Sequence, residues 1–191
     1  MSDLKTDLFF PTILGHSSYP LADLENKTLE SHINKLMKGS NKCFYYHALH
    51  KDKKFNNLTK WILDKATEFS DLHKFAKPYI EESWFNYYRK HDSNSPHYHR
   101  GSVLSAVYFL EGTPEDSPLI IRSPLPPDMM NPRKITADNP TKDLSPYTID
   151  EIVIKPKTGY LYIFRSYLQH EVSVKLNDSR RIALSYTFNI T

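Results

Sequence analysis

The sequence predicts an α+β domain, with two N-terminal helices supporting a sandwich or jelly roll of short strands. Three observations carry that prediction. Apolar residues recur at helical spacing over residues 25–38 and 57–76. After Pro78 they recur in short runs at strand spacing. Aromatic residues make up 13% of the 191 residues, while Gly is sparse at 5 and Pro plentiful at 13. That mix suits strands joined by stiff loops, because aromatic side chains pack well on a pleated surface. The length suits one domain over residues 1–191, with 1–78 as helical support and 79–191 as the strand-rich core.

The elements follow in order. Residues 1–20 read as an extended entry containing the apolar segment Leu8 to Leu14. Leu29, Ile33 and Leu36 mark one face of the first helix, and Gly39 follows as a stop. Leu58, Trp61, Ile62, Ala66, Phe69, Leu72 and Phe75 form one stripe on the second. Asn57 is its expected cap, and Lys77 with Pro78 its expected end. Such a stripe is core, so Trp61 is read as a packing residue.

Strands are expected over 80–89, 102–110, 117–122, 149–154, 159–165, 169–175 and 181–190. The last alternates cleanly. Arg181, Ala183, Ser185 and Thr187 share one face, and Ile182, Leu184, Tyr186 and Phe188 the other. The Pro-rich stretch 123–146 breaks the pattern and reads as an insertion, either a plain surface loop or a substrate lid. There is no internal repeat.

Composition narrows the partners. Hydrophobic residues make up 39% and charged residues 25%, as in soluble globular proteins. The net charge is only +3, and the densest basic run, Lys51 to Lys54, includes Asp52. It reads as a solvated loop, so no nucleic-acid partner is expected. Cys43 is the single cysteine and has no intramolecular partner, which fits a reducing, cytoplasmic compartment. The first residues carry no signal-peptide core, and no apolar run approaches the roughly 18 residues that span a membrane.

The chemistry concentrates in three places. His97 and His99 stand two apart at an expected strand end, so both imidazoles point to one side and can grip one metal ion. Imidazole suits iron, zinc, copper and nickel, so residue type does not choose the metal. A second signal is Gly159, a buried strand, a short loop and then His170. The third is Arg181, a cationic fork among small and hydroxyl side chains, suited to a carboxylate. Singly, each has an ordinary reading: strand histidines, a core His170, a surface ion pair for Arg181 beside Arg180. Strand parity favours Arg181 over Arg180, because the Arg180 face continues into large apolar residues.

Together these residues resemble the 2-oxoglutarate/Fe(II)-dependent oxygenase superfamily. Gly159, Phe164, His170, Glu171, Val172, Arg181, Ala183 and Ser185 look most like its prolyl-4-hydroxylase-like branch. Asn94, His97, His99, Ser102, Leu104, Ser105, Val107, Tyr108 and Leu110 are similar to a group of oxygenases with His-x-His in place of His-x-Asp. The resemblance covers roughly residues 80–190 and implies a double-stranded β-helix, the jelly roll with supporting helices. It implies His97 and His170 as iron ligands, with His99 where the superfamily usually carries Asp or Glu. It implies Arg181 holding the far carboxylate of 2-oxoglutarate, Ser185 as hydroxyl partner and Tyr87 touching the cosubstrate.

The cofactors implied are Fe(II), 2-oxoglutarate and O2, with ascorbate a further candidate. The reaction implied is hydroxylation of a peptidyl, prolyl or small-molecule substrate, coupled to decarboxylation of 2-oxoglutarate to succinate. If His99 is not a ligand, the acids near in sequence are Asp92, Glu111 and Glu171. Two other readings use the same residues. One is a three-His cupin or thiol-dioxygenase-like enzyme, though Val103 and Leu104 stand where a cupin usually has Glu. The other is a non-catalytic jelly-roll binding module, which the absent carboxylate favours.

Overall fold

The computed structural model describes residues 11–38, 40, 43–46, 48–125 and 149–191. Among these residues two α-helices and ten strands run in the order β1 (Gly15–Ser18), α1 (Ala22–Leu36), β2 (Phe44–Tyr46), α2 (Asn56–Leu72), β3 (Pro78–Tyr88) and β4 (Asn94–His97). There follow β5 (Leu104–Glu111), β6 (Leu119–Arg122), β7 (Glu151–Ile154), β8 (Tyr160–Arg165), β9 (His170–Val172) and β10 (Arg181–Ile190). They form a six-stranded sheet, β1-β8-β5-β10-β3-β2, and a four-stranded sheet, β4-β9-β6-β7. All the recorded pairings are antiparallel. This is the expected jelly roll with helical support.

Two cores explain why the central strands read as nearly continuous apolar runs. Helix faces carrying Leu29, Ile33, Leu58, Ile62 and Phe69 pack on one side of the large sheet, against Phe85, Tyr108, Leu161, Leu184 and Phe188. The other side of that sheet faces the small sheet across Tyr88, Phe109, Leu119, Ile121, Phe164 and Val172. A strand buried on both faces loses the polar alternation of a half-exposed one. Parity still sorts β10 as expected: Ile182, Leu184, Tyr186 and Phe188 join the helices, and Ala183 joins the inter-sheet core. Trp61 packs against the helical core, as the stripe implied.

Several local expectations need correcting. Asn57 does not cap α2; it lies inside the first turn, where its amide donates to Glu25 Oε1 at 2.7 Å. The helix ends at Leu72, well before Pro78, because Lys74 adopts a left-handed φ of 55°. There Phe75 N–H donates to Ser70 O and Lys74 N–H to Asp71 O, a C-terminal motif that closes a helix without Gly.

The segment before residue 79 is more than support. It also supplies the edge strands β1 and β2 of the large sheet. Gly159 does make the expected turn, at φ +83°, where an added Cβ would meet Ala22 Cβ at 2.9 Å. The apolar entry segment is described only from Pro11, where Ile13 and Leu14 pack against the two cores; Leu8 to Phe10, the stop at Gly39 and residues 126–146 lie outside the described residues. Among the described residues, no helix is long and apolar enough to cross a membrane.

Candidate metal and anion site

Strand pairing brings the histidines together. β4 and β9 are antiparallel partners in which His97 stands opposite His170, with ring centroids 4.3 Å apart. His99 lies just past β4 and folds back, its N–H donating to Ser166 O at 3.4 Å beyond the end of β8. Its ring reaches within 5.1 Å of His97 and 4.9 Å of His170. The three rings offer one nitrogen each, all within 4.8 Å of one another. Among the described residues this is the one such group of three His, Cys, Asp or Glu side chains.

Hydrogen bonds orient the rings. His97 Nδ1 meets Ser95 O at 2.7 Å, and His170 Nδ1 meets Leu168 O at 2.9 Å. A ring N–H donated to a carbonyl fixes the tautomer and turns the Nε2 lone pair toward the shared centre. Phe164 stands edge-on to His170 at 5.0 Å, and Trp84 lies 5.3 Å from His99. Burial pushes the His170 pKa down to about 3 and the His99 pKa down to about 4, so both rings are neutral near pH 7. Neutral imidazole is the form a metal binds.

The donor set fits one divalent ion. His170 Nε2 and His99 Nε2 are 3.2 Å apart. Two nitrogens each about 2.1 Å from one ion, at right angles, would stand about 3 Å apart. A hydrogen bond between two neutral rings has the same length, but it would not draw in the third ring. The acids near in sequence are engaged elsewhere. Asp92 accepts from Arg89 N–H at 2.7 Å, Glu111 pairs with Arg180 at 3.0 Å, and Glu171 pairs with Arg122 at 2.5 Å. The geometry therefore brings His99, and none of these carboxylates, to the cluster.

The same pocket holds Arg181, Ser185, Asn86 and Tyr88. Arg181 is 0% exposed; its three side-chain nitrogens have no well-directed hydrogen-bond partner and no carboxylate, only the Tyr88 side chain lying against them. Its guanidinium lies over the Tyr88 ring at 4.4 Å and the Phe109 ring at 5.2 Å. Burial pushes its pKa down, while Tyr88 beside it and Asp116 further off push the other way. A buried cation without partners is costly, and structures keep one where something else supplies the partner. Ser185, 8% exposed, accepts from Asn86 Nδ2 at 3.4 Å. Arg180, by contrast, is the surface ion-pair residue, bonded to Glu30 and Glu111.

Tyr87 is not in this pocket. It packs with the helical core, because it pairs with Ile182 across the ladder while Tyr88 pairs with Arg181. A one-residue shift along a strand changes the face, and Tyr88 is the tyrosine that parity places beside Arg181. Trp84, Asn86 and Phe164 were also missed as site residues. The alternation of β3, with Trp84, Asn86 and Tyr88 on one face, was the available signal.

Comparisons with known proteins bear on the family and the fold. The family model described as "Putative 2OG-Fe(II) oxygenase" matches residues 82–189, more than half of the chain. No curated protein matches the sequence. A prolyl-4-hydroxylase from Pseudomonas putida superposes with a TM-score of 0.62 at 15% identity, covering 94% of each chain. SnoN, a non-heme alpha-ketoglutarate-dependent epimerase from nogalamycin biosynthesis, gives 0.66 at 11% identity, covering 94% of this chain and 79% of that one. HygX from Streptomyces hygroscopicus, solved with nickel and 2-oxoglutarate, gives 0.59 at 14%, covering 94% and 83%. At these identities the structural likeness speaks for the fold.

Proposed function

The chain belongs to the 2OG-Fe(II) oxygenase family, and from that premise we propose that it hydroxylates a peptide, protein or small-molecule substrate. Decarboxylation of 2-oxoglutarate to succinate and CO2 drives the reaction, with O2 as oxidant. His97, His99 and His170 hold Fe(II), and Arg181 with Ser185 holds the cosubstrate. One observation carries this reading: a buried guanidinium without a carboxylate partner shares a pocket with three convergent imidazoles. Two chelating ends, a metal and a fixed cation, are what a keto-dicarboxylate needs. A three-His cupin would leave Arg181 without a purpose.

Each residue's task follows from its surroundings. Arg181, held over its two rings, would pair with the far carboxylate. Ser185, steadied by Asn86, donates a hydroxyl to the same group. Ser95 and Leu168 carbonyls hold two imidazoles in one tautomer, so the ligand set is preorganised. Trp84 and Phe164 wall two sides of the cluster with apolar surface. Bound Fe(II) would supply the activation of O2; the chain supplies aim.

The test is direct. His170→Ala abolishes iron-dependent succinate release, and undiminished release would sink the assignment. Titrating Fe(II) and 2-oxoglutarate without oxygen gives a weak visible charge-transfer band. Its absence, together with no turnover, would favour the binding module.

A further inference from the structure

Among the described residues Asp116 is the one buried carboxylic acid, yet it does not pair with Arg181. Both lie beside Gly112: a Cβ placed there would stand 3.8 Å from Arg181 Cγ and 3.9 Å from Asp116 Oδ2. The cheapest partner for a buried cation is a neighbouring carboxylate, so something holds this one back. Its oxygens are already taken. Oδ1 accepts from Lys175 Nζ at 2.8 Å and from Ser179 Oγ. Oδ2 accepts from Thr113 N–H at 2.8 Å and more loosely from Thr113 Oγ1 at 3.4 Å. Lys175 is itself 0% exposed and is fixed by Asn177 and Ser179. Asn177 is in turn anchored to Glu115 O at 3.0 Å.

The buried set thus contains two cations and one anion. Lys175 and Asp116 cancel, and the remaining positive charge sits on Arg181, facing the pocket. We infer that Lys175 is a positioning residue of the anion site: by capturing Asp116 it keeps Arg181 unpaired and open to a carboxylate ligand. The 2-oxoglutarate of the proposed function is that ligand, so the inference rests on that reading. Without Lys175, Asp116 loses a charged partner and turns to the next cation across Gly112. It then competes with 2-oxoglutarate for the guanidinium. Removing Asp116 as well ends the competition. A merely structural Lys175 would not show that reversal.

The experiment measures 2-oxoglutarate binding by calorimetry on Ni(II)-loaded protein, so that no turnover is needed. Lys175→Met weakens binding about tenfold or more, the scale of a charge-assisted hydrogen bond. Lys175→Met combined with Asp116→Asn returns it to within about threefold of the parent, because both charges are removed together. Ser179→Ala, which loosens one bond of the cage, gives a smaller loss of the same sign. Far-UV circular dichroism checks folding. If Lys175→Met does not fold, parent-like binding by the double variant and the loss in Ser179→Ala decide in favour. Parent-like binding by Lys175→Met, or a double variant as weak as the single, overturns the inference. A parent protein that binds no 2-oxoglutarate overturns the proposed function, and this inference with it.

Discussion

Lys175 and Arg181 are both wholly buried cations at the same end of the barrel, and they are treated in opposite ways. Lys175 is surrounded by Asp116, Asn177 and Ser179. Arg181 has two aromatic faces, no carboxylate and no well-directed hydrogen bond. Burial is therefore not what separates scaffold from site here; satisfaction is. A buried charge with every partner in place holds the fold together. One with none is a fold's concession to a ligand, because leaving a buried charge unpaired costs stability.

The contrast can be broken by mutation, beginning with the largest effect. Lys175→Met alone removes one member of a buried pair and destabilises the protein by up to about 3–5 kcal/mol, less whatever Asp116 recovers by turning to Arg181. Urea unfolding reads it. Arg181→Leu does the reverse in the same medium, holding or raising the unfolding midpoint while raising the KM for 2-oxoglutarate by about 10–100-fold. If Arg181→Leu were as destabilising as Lys175→Met, the distinction drawn above would fail.

The pH dependence sharpens the same point. Burial pushes the Asp116 carboxyl up, but hydrogen bonds from Lys175, Ser179 and Thr113 outweigh it and hold the pKa below the ordinary range. A carboxylate with a depressed folded pKa contributes stability that is complete above its unfolded pKa, about 3.9, and lost as pH falls through the folded value. Acid unfolding of the parent should steepen below about pH 4. That component should shrink in the Lys175→Met, Asp116→Asn double variant. The smallest effect separates the two tyrosines. Tyr88→Phe changes cosubstrate affinity a few-fold, since its ring platform stays and only the hydroxyl goes, whereas Tyr87→Phe leaves affinity unchanged. Equal effects would return the cosubstrate role to Tyr87.

Legibility in the sequence followed locality. β10 was readable to the residue, because its two faces differ in chemistry over ten positions. His97, His99, His170 and Arg181 were readable from motif and parity, and all four line the pocket. Tyr87 was misplaced because a motif offset was used where the cross-strand register decides. β1 and β2 were not foreseen as strands, and β4 only as a strand end at its histidines: each is four residues or fewer and sits at a sheet edge. Too few residues alternate there to show a period. The Asp116–Lys175 pair was invisible for another reason. Its members are far apart in the chain, and an isolated Lys or Asp in a loop reads as solvated surface until the fold closes over it.

The position of the histidines has a consequence for how the protein breathes. β4 is a four-residue edge strand with a single ladder partner, β9, and His97 and His170 face each other across that one seam. Such an edge opens at low free energy, as hydrogen exchange at its amides would register. An ion gripped from both sides would close the seam and add its binding free energy to the local opening cost, about 2.7 kcal/mol at a hundredfold excess over Kd. Amides of β4 and β9 would then exchange far more slowly with metal than without, while those in the centre of β10 would hardly respond. The β4–β9 seam would owe its rigidity to the ion, and the rest of both sheets to their cores.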